Sequence, residues 1–295
     1  MNPTQYYIGI DGGGTKCKAR LESSSGQLLS EAIAGAANAA RNLEQSVTSI
    51  TEVCEKVFEK ANLPLDRLAN THVGLGLAGL NIPSVKKEFD SVTFPFKSWV
   101  STTDLNIACL GAHNGEKGAV IILGTGSSAV VIKGDRELNI GGHGFLLGDQ
   151  GSGAWIGKQA VTLSLLELDG FSKEQGLAKT VLAHYNCANQ SDLVSLLNKA
   201  LPAKFATIAP TIIALSQEKL PQANTIINEA TTYIDKLISI VASHKPQRIS
   251  IIGGLASAFG PLLSEQSQSI LSTSKLSPEQ GAILFCKQHE QIEEI

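Results

Sequence analysis

A unit of two short strands joined by a glycine-rich turn occurs twice in this chain of 295 residues. The first copy spans residues 6–21, with Asp-Gly-Gly-Gly-Thr-Lys at 11–16 as its turn. The second copy spans residues 119–133, with Gly-Thr-Gly-Ser-Ser at 124–128. Alternating or β-branched apolar residues on both sides of such a turn are typical of β-hairpins. The repetition predicts a fold made of two similar halves.

A helical segment and a further apolar strand follow each hairpin. Apolar residues recur at helical spacing in Leu43–Ala61 and in Ile226–Val241. The strands that come after them, His72–Gly79 and Arg248–Gly254, both run into glycines. Strands in a sheet with helices packed over it form an α/β fold. The order of elements therefore supports the duplication.

We predict two domains from this pattern. A smaller α/β domain, 1–113, carries the first turn, and a larger α/β domain, 114–295, carries the second turn and a helical insertion. The helical middle of the chain, 163–245, contains no motif that indicates a role. The last helix, at about 277–290, is expected to pack at the hinge, because the Gly-Ala pair at 281–282 is small enough to let it approach another helix closely.

The composition argues against several classes of protein. A net charge of -3 without a run of Lys or Arg provides no basic surface for nucleic acid. Five scattered cysteines without a Cys-x-x-Cys pair predict reduced thiols rather than a zinc site or a disulfide framework. The N-terminus lacks the basic and apolar regions of a signal peptide, and the apolar stretch Ala119–Ile132 is interrupted and too short to span a bilayer. We therefore expect a cytoplasmic protein that binds neither nucleic acid nor membrane.

The composition of both turns suits phosphate binding. A phosphate-binding turn needs inward-facing backbone N–H groups without side chains in the way, so glycines beside a hydroxyl residue are expected. Either turn alone could be an ordinary hairpin bend. The first turn is not a Walker loop, because Gly14-Thr15-Lys16 is followed by a strand instead of a helix. The second turn fits Gly-x-Gly-x-x-Gly/Ala but continues as a strand at Val130–Ile132, which disfavours a dinucleotide-dependent oxidoreductase.

A family resemblance rests on four glycine-rich segments: the turns at 11–16 and 124–128, the run from Gly141-Gly142-His143-Gly144 to Gly153, and Ile252-Gly253-Gly254. In these segments the chain resembles the N-acetylglucosamine kinase group. That group lies in the BadF/BadG/BcrA/BcrD ATPase branch of the actin, hexokinase and Hsp70 superfold. The resemblance covers about residues 7–160 and 248–285. It implies duplicated, ribonuclease H-like α/β domains with an interdomain cleft.

The resemblance also implies ATP-dependent phosphorylation with Mg²⁺ as cofactor. A kinase of any fold must cradle the phosphates, hold Mg²⁺ and orient the acceptor hydroxyl beside a base. Asp11 corresponds to the residue that orients the hydrated Mg²⁺. The residues implied to bind the nucleotide belong to the two turns and the late glycine pair: Gly12, Gly13, Gly14, Thr15, Lys16, Thr125, Gly126, Gly253 and Gly254. A lysine that leaves a hairpin turn, as Lys16 does, is otherwise merely solvated.

Asp104 resembles the catalytic aspartate of the family, which takes the proton of the acceptor hydroxyl and also binds it. The residue follows Ser101-Thr102-Thr103 and precedes the helical stretch Leu105–Gly111. An aspartate in that place can alternatively be an N-cap, which accepts a backbone hydrogen bond at the start of a helix. The two roles do not exclude each other.

The other implied sugar-binding residues lie in two loops: Asn38, Gly142, His143, Gly144 and Asp149. Asn38 could otherwise be a turn former. A lone histidine such as His143 is more often structural, whereas Asp149 could bind two neighbouring hydroxyls. His143 and Gln150 stand where vertebrate members of the family have an aromatic residue and a glutamate, so the pocket around the 2-position of the sugar differs.

The resemblance favours N-acetyl-D-glucosamine as the substrate, converted to its 6-phosphate, with glucosamine as the alternative. A protonated amine favours a nearby carboxylate, whereas an acetamide needs an apolar slot beside a hydrogen-bond partner. A dehydratase-activating ATPase of the same superfold would need clustered cysteines, and only Cys109 lies near the predicted domain junction. A sugar sensor without activity is a third possibility, and a homodimer is expected in each case.

Overall fold

The computed structural model describes residues 5–134, 136–173 and 175–293 of the chain. None of the helices within these ranges is both long enough and apolar enough to cross a membrane. Strands and helices alternate in both parts of the chain, as the sequence predicts for an α/β fold.

The chain forms two compact units. The first unit takes its residues from Met1–Val120, Ile132–Asp135 and Thr273–Ile295. The second unit takes its residues from Ile121–Val131 and Arg136–Ser272. The end of the chain thus belongs to the same unit as its beginning.

The first unit contains a mixed sheet with helices on both faces. Its elements are β1 (Tyr6–Gly12), β2 (Cys17–Ser23), β3 (Leu28–Ala34), α1 (Leu43–Lys60), a 3₁₀ helix (Leu65–Asn70), β4 (Thr71–Leu77), α2 (Pro83–Phe89), β5 (Ser98–Thr103), α3 (Asp104–Ala112) and, from the end of the chain, α12 (Pro278–Glu293). The strand order is β3-β2-β1-β4-β5. Strands β1, β2 and β3 pair antiparallel in sequence order, and β1, β4 and β5 are parallel.

The two faces of this sheet differ because apolar residues alternate with glycines along β1 and β4. Side chains of successive strand residues point to opposite faces. Ile8, Ile10 and Val73 are fully buried in the core that α1 covers. Helix α1 begins at its N-cap Asn42, whose side chain accepts a hydrogen bond from the Gln45 N–H at 2.9 Å.

The glycine face of the sheet is covered by α12. A Cβ atom at Gly9 would overlap the backbone carbonyl of Glu279, and one at Gly74 would overlap that of Ala282. Helix α12 also packs on α3, where a Cβ atom at Gly281 would overlap the backbone of Ile107 and Gly111. The close approach expected for the Gly-Ala pair is therefore present, and it holds α12 on the first unit's sheet.

The second unit combines a smaller sheet with a group of helices. Its elements are β6 (Ala119–Leu123), β7 (Ser127–Lys133), β8 (Arg136–Gly141), α4 (Gly153–Leu168), α5 (Leu177–Tyr185), α6 (Gln190–Leu197), α7 (Pro202–Ala206), α8 (Ala209–Gln217), α9 (Pro221–Ser243), β9 (Ile249–Ile252), α10 (Ala256–Phe259), a 3₁₀ helix (Gly260–Leu262) and α11 (Glu265–Ile270). The strand order is β8-β7-β6-β9, and residues 119–120 of β6 and 132–133 of β7 fall within the ranges of the first unit. Helix α4 packs against α5, α7, α8 and α9, so the helical middle of the chain forms one group around it.

The structure confirms both predicted hairpins and the helices predicted from apolar periodicity. The predicted segments Leu43–Ala61 and Ile226–Val241 correspond to α1 and to the interior of α9. Each hairpin also continues into a third strand, β3 or β8, which the sequence analysis did not predict. The predicted domain division after residue 113 stays a prediction, and the compact units group α12 with the first unit instead of with residues 114–272.

Candidate functional site

The predicted residues of the first unit gather at one edge of its sheet. Strands β1, β4 and β5 are parallel, so their carboxyl ends lie at the same edge. Asp11 is the last but one residue of β1, and Asp104 comes directly after β5. The N–H of Ala78 donates to the carbonyl of Gly12 at 2.8 Å, which joins the ends of β4 and β1.

The first glycine turn projects from this edge. The N–H of Gly13 donates to the carbonyl of Lys16 at 2.9 Å, so this amide closes the turn. Gly14, Thr15 and Lys16 are exposed, whereas Gly12 is buried against Leu77 and Ala37. Three of the predicted phosphate-binding residues are thus accessible, and Gly12 fits close packing of the backbone better than contact with a ligand.

Asn38 lies beside this turn and forms a turn of its own. The N–H of Ala37 donates to the Gly13 carbonyl at 2.9 Å, and the Asn38 Oδ1 atom accepts from the N–H of Arg41 at 3.1 Å. The turn-forming alternative is therefore observed, while the sugar contact stays a prediction. Gly14 and Asn38 line the same small cavity of about 110 Å³.

Asp104 is the first residue of α3 and not its N-cap. The cap is Thr103, whose side-chain oxygen accepts from the N–H of Asn106 at 3.0 Å. The N-cap alternative for Asp104 is therefore wrong, because the preceding hydroxyl residue already takes that hydrogen bond. The Asp104 Oδ1 atom accepts from the adjacent N–H of Leu105 at 3.0 Å.

The carboxylate of Asp11 is affected by the charges of two others, those of Glu279 and Asp104. Burial, together with the charges of Glu279 and Asp104, raises the pKa of Asp11 to about 7. The ammonium groups of Lys16 and Lys18 lower the pKa of Asp11 but do not offset this increase. Three carboxylates and two ammonium groups therefore interact electrostatically around Asp11.

Glu279 and Lys18 were not among the residues that the sequence predicted for the site. Lys18 lies opposite Asp11 in the antiparallel pairing of β1 with β2, and its Nζ atom is 3.3 Å from the Oε1 atom of Glu279. Glu279 lies in the first turn of α12. The sequence shows that a helix begins at Pro278, but it carries no signal that this helix returns to β1.

The second glycine turn supports the start of a long helix. The N–H of Gly153 donates to the Gly124 carbonyl at 2.8 Å, and the N–H of Ala154 donates to the Thr125 carbonyl at 3.1 Å. Thr125 is exposed. The turn thus lies against the amino end of α4, and its carbonyls accept from the first two backbone N–H groups of that helix.

Asp149 folds back onto this second turn. Burial raises the pKa of Asp149, and backbone hydrogen bonds from Gly144 and Ser127 and the His143 side chain oppose that increase. A Cβ atom at Gly126 would lie 2.8 Å from the Asp149 Oδ2 atom. The structure therefore brings Gly126, predicted for the nucleotide, next to Asp149, predicted for the sugar.

The loop that carries the other predicted sugar residues is attached to the same turn. The N–H of Gly142 donates to the Ser127 carbonyl at 3.1 Å. Gly142, His143 and Gly144 are exposed. These three residues are accessible to a ligand, while Asp149 is held by backbone of its own unit.

The late glycine pair lies at the carboxyl end of β6. A Cβ atom at Gly253 would overlap the backbone carbonyl of Leu123, and the φ angle of Gly253 is +103°, which favours glycine. Gly254 is exposed, and a Cβ atom there would meet open space. The fold itself therefore requires Gly253, whereas Gly254 leaves a flat surface.

The residues around Asp11 fit a hydrated Mg²⁺ ion. Magnesium prefers oxygen ligands and usually keeps several waters, held by one or two carboxylates and by substrate phosphates. The mutual repulsion of Asp11, Asp104 and Glu279 is of the kind that a divalent cation offsets. In the described part of the chain, no three His, Cys, Asp or Glu side chains form a direct metal cage, so nucleotide phosphates would have to supply ligands.

Two α/β units, each with a sheet that carries a glycine-rich turn, give this chain the actin and hexokinase fold. The fold is shared with a ROK family glucokinase from Streptomyces griseus, determined with glucose and AMPPNP, at a TM-score of 0.57 and 17% identity, covering 97% of this chain and 99% of that one. The chain belongs to the BadF/BadG/BcrA/BcrD ATPase family, whose sequence profile matches residues 8–286.

Several proteins that are similar to this chain have named activities. The chain is 32% identical to the glucosamine kinase GspK of Vibrio cholerae, over 97% of each chain. It is 28% identical to an N-acetyl-D-glucosamine kinase of Dictyostelium discoideum, over 80% of this chain and 79% of that one. A candidate N-acetylglucosamine kinase from Chromobacterium violaceum has a structure with a TM-score of 0.85 and 30% identity, covering 95% of this chain and 98% of that one.

Proposed function

We propose that this chain is an ATP-dependent hexosamine kinase that transfers the γ-phosphoryl group of ATP to the 6-hydroxyl of glucosamine. The observation that carries the proposal is that Asp11 and Asp104 lie at the carboxyl ends of parallel strands of one sheet, beside the exposed turn 14–16. One carboxylate is thus available for a hydroxyl and another for a metal ion, next to backbone that suits phosphates. These are the parts that phosphoryl transfer requires.

Each group has one role in this reaction. The 6-hydroxyl oxygen attacks the γ-phosphorus, the bond to the β-phosphate oxygen breaks, and Asp104 takes the hydroxyl proton. Asp11 would hold a hydrated Mg²⁺, which would supply positive charge to the phosphates. ADP is the leaving group.

The remaining predicted residues position the two substrates. The turn residues Thr125 and Gly126 contact the phosphates, and the surface at Gly254 accommodates the adenosine. Asn38 of the first unit is our candidate there for binding sugar hydroxyls, and His143 and Asp149 are the candidates of the second unit. Asp149 suits this role because its carboxylate is already oriented by two backbone N–H groups.

Glucosamine is placed before N-acetylglucosamine, although the sequence resemblance favoured the acetylated sugar. Support comes from the similarity to the Vibrio cholerae glucosamine kinase, which extends over 97% of both chains. The similarity to the Chromobacterium violaceum and Dictyostelium discoideum proteins makes N-acetylglucosamine the second candidate. A cytoplasmic location and a homodimer also remain proposals.

Sugar-dependent release of ADP tests this function. With MgATP present, kcat/KM is measured for glucose, glucosamine, N-acetylglucosamine and N-acetylmannosamine, and the position of the phosphate is read by NMR. We expect glucosamine to give the highest kcat/KM and a 6-phosphate product. A tenfold preference for N-acetylglucosamine would reverse the choice of substrate, and no release with any hexosamine would refute the kinase.

A further inference from the structure

Glu279 has a buried carboxylate of which only one oxygen is accounted for. The residue is 3% exposed. Its Oε1 atom pairs with Lys18 Nζ at 3.3 Å, while its Oε2 atom is buried and accepts no hydrogen bond within the described residues. Leaving a charged oxygen buried without a partner is costly, so native proteins rarely do so unless a ligand or water completes the site.

Neutralisation of Lys18 does not by itself explain Glu279. The Lys18 ammonium is also 3.3 Å from the Glu31 Oε2 atom, so this lysine already has a carboxylate partner without Glu279. Glu31 is more accessible than Glu279, with 35% of its side chain exposed. Lys18 therefore does not need the buried Glu279 in order to have an ion-pair partner.

The fold holds the Glu279 carboxylate beside Asp11. Gly9, two residues before Asp11 and on the same face of β1, allows the backbone of Glu279 to lie directly on the strand. The Glu279 charge is the largest contribution from a neighbouring charge to the raised pKa of Asp11. Backbone contact and charge both indicate that the two carboxylates share one site.

We propose that Glu279 is a positioning residue of the magnesium site, whose Oε2 atom accepts hydrogen bonds from water bound to the Mg²⁺ that Asp11 orients. Lys18 fixes the other oxygen, so that the carboxylate keeps one orientation. Carboxylates outside the direct ligands often orient metal-bound water in this way. The inference rests on the proposed kinase function for the identity of the metal and the nucleotide.

The test compares ADP binding with and without Mg²⁺ in matched variants. Isothermal titration calorimetry gives the Kd of ADP in EDTA and in excess Mg²⁺ for the wild-type chain, for Glu279→Gln and for Glu31→Gln. Glu31→Gln is the control because it removes the other carboxylate on Lys18. Glu279→Asp is included as a variant that retains the charge, and the melting temperature of each protein is recorded.

We expect Mg²⁺ to tighten ADP binding at least tenfold in the wild type and in Glu31→Gln. In Glu279→Gln this gain should fall below threefold, while the affinity for ADP in EDTA stays the same or increases. Glu279→Asp should recover part of the gain. A purely structural role would lower the melting temperature without changing the ratio of the two Kd values.

A gain in Glu279→Gln within twofold of the wild type would overturn the inference. So would a wild-type affinity for ADP that does not respond to Mg²⁺. If Glu279→Gln is poorly folded, an undiminished gain in Glu279→Asp combined with a lost gain in Glu31→Gln would also overturn it. The kinase proposal fails separately, because a chain that binds MgADP as expected yet phosphorylates no hexosamine contradicts only the reaction.

Discussion

The capping hydrogen bond of α3 is made by Thr103 and not by Asp104. The Asp104 Oδ1 atom accepts from the N–H of Leu105 at 3.0 Å. An amide side chain retains that oxygen. The reacting role of this residue can therefore be removed without removing the start of the helix.

Asp104→Asn should lower kcat by about 10²-fold or more, the scale expected for loss of a positioned general base. The melting temperature should stay within 2–3 °C of the wild type or rise by about that amount, because one repulsive charge beside Asp11 is lost. ADP affinity should be retained. The exposed Asp66→Asn serves as the control, and a stable Asp104→Asn with near-normal kcat would move the search for the base to Asp149.

The adjacent residues Gly253 and Gly254 have different roles: the fold requires Gly253, whereas Gly254 is proposed to face the nucleotide. Gly253→Ala should destabilise the protein by about 1–3 kcal/mol, because its φ of +103° is strained for alanine and its Cβ atom would overlap the Leu123 carbonyl. Gly254→Ala should leave the melting temperature unchanged and weaken ATP binding, since its Cβ atom enters open space. Chemical unfolding and ATP titration of both variants check this, and equal stability of the two would contradict it.

At the scale of elements, the position of α12 in the first unit depends on glycines, which leave room for close backbone contacts. The helix contacts β1, β4 and α3 through backbone at Gly9, Gly74 and Gly281. These contacts place the Glu279 carboxylate next to Asp11. The packing of one helix therefore links the end of the chain to the proposed metal site.

Gly281→Ala should destabilise the protein by about 1–3 kcal/mol, because the added Cβ atom would overlap the Ile107 carbonyl and force α12 away from α3. Turnover should fall with it, since Glu279 moves with the helix. Gly260→Ala is the control, because a Cβ atom there would meet open space. If urea unfolding gives the two variants the same stability, the contact between α12 and α3 is not as tight as described.

The sequence predicted elements well where local signals were strong. The N-cap Asn42 marks the start of α1, and the apolar spacing marks its length. The glycine turns mark the hairpins. Strands β3 and β8 escaped prediction because they lie at sheet edges and alternate weakly. The contact of Glu279 with Lys18 joins residues that are far apart in the chain, and no local pattern encodes such a contact.

At the scale of the whole molecule, the duplication extends further than the hairpins. Each unit begins with three consecutive strands and later adds a strand beside the first of them, β4 next to β1 and β9 next to β6. In both units, glycines lie at or just after the ends of these strands. The family's sequence profile spans residues 8–286, so both units belong to what the family shares.

The stability of the whole chain should also report the charge state of Asp11. Its folded pKa of about 7 lies above the unfolded value of 3.8, so the folded state retains the proton longer. The stabilisation from this proton is fully present below about pH 4 and is lost progressively as the pH rises to about 7. Asp11→Asn cannot ionise and therefore avoids this loss.

Without metal or nucleotide, Asp11→Asn should match the wild type near pH 4 and exceed its free energy of unfolding by about 2–4 kcal/mol at pH 8. The difference should grow between about pH 4 and 7 and stay level above that, because burial and the carboxylates of Glu279 and Asp104 oppose ionisation of Asp11 while Lys16 and Lys18 only partly compensate. Urea unfolding in EDTA at half-unit pH steps measures it, and excess MgADP should shrink the gap by stabilising only the ionised wild type. A constant difference across this range would mean that Asp11 is already ionised in the folded protein at pH 5. The three carboxylates would then not repel one another as their burial implies.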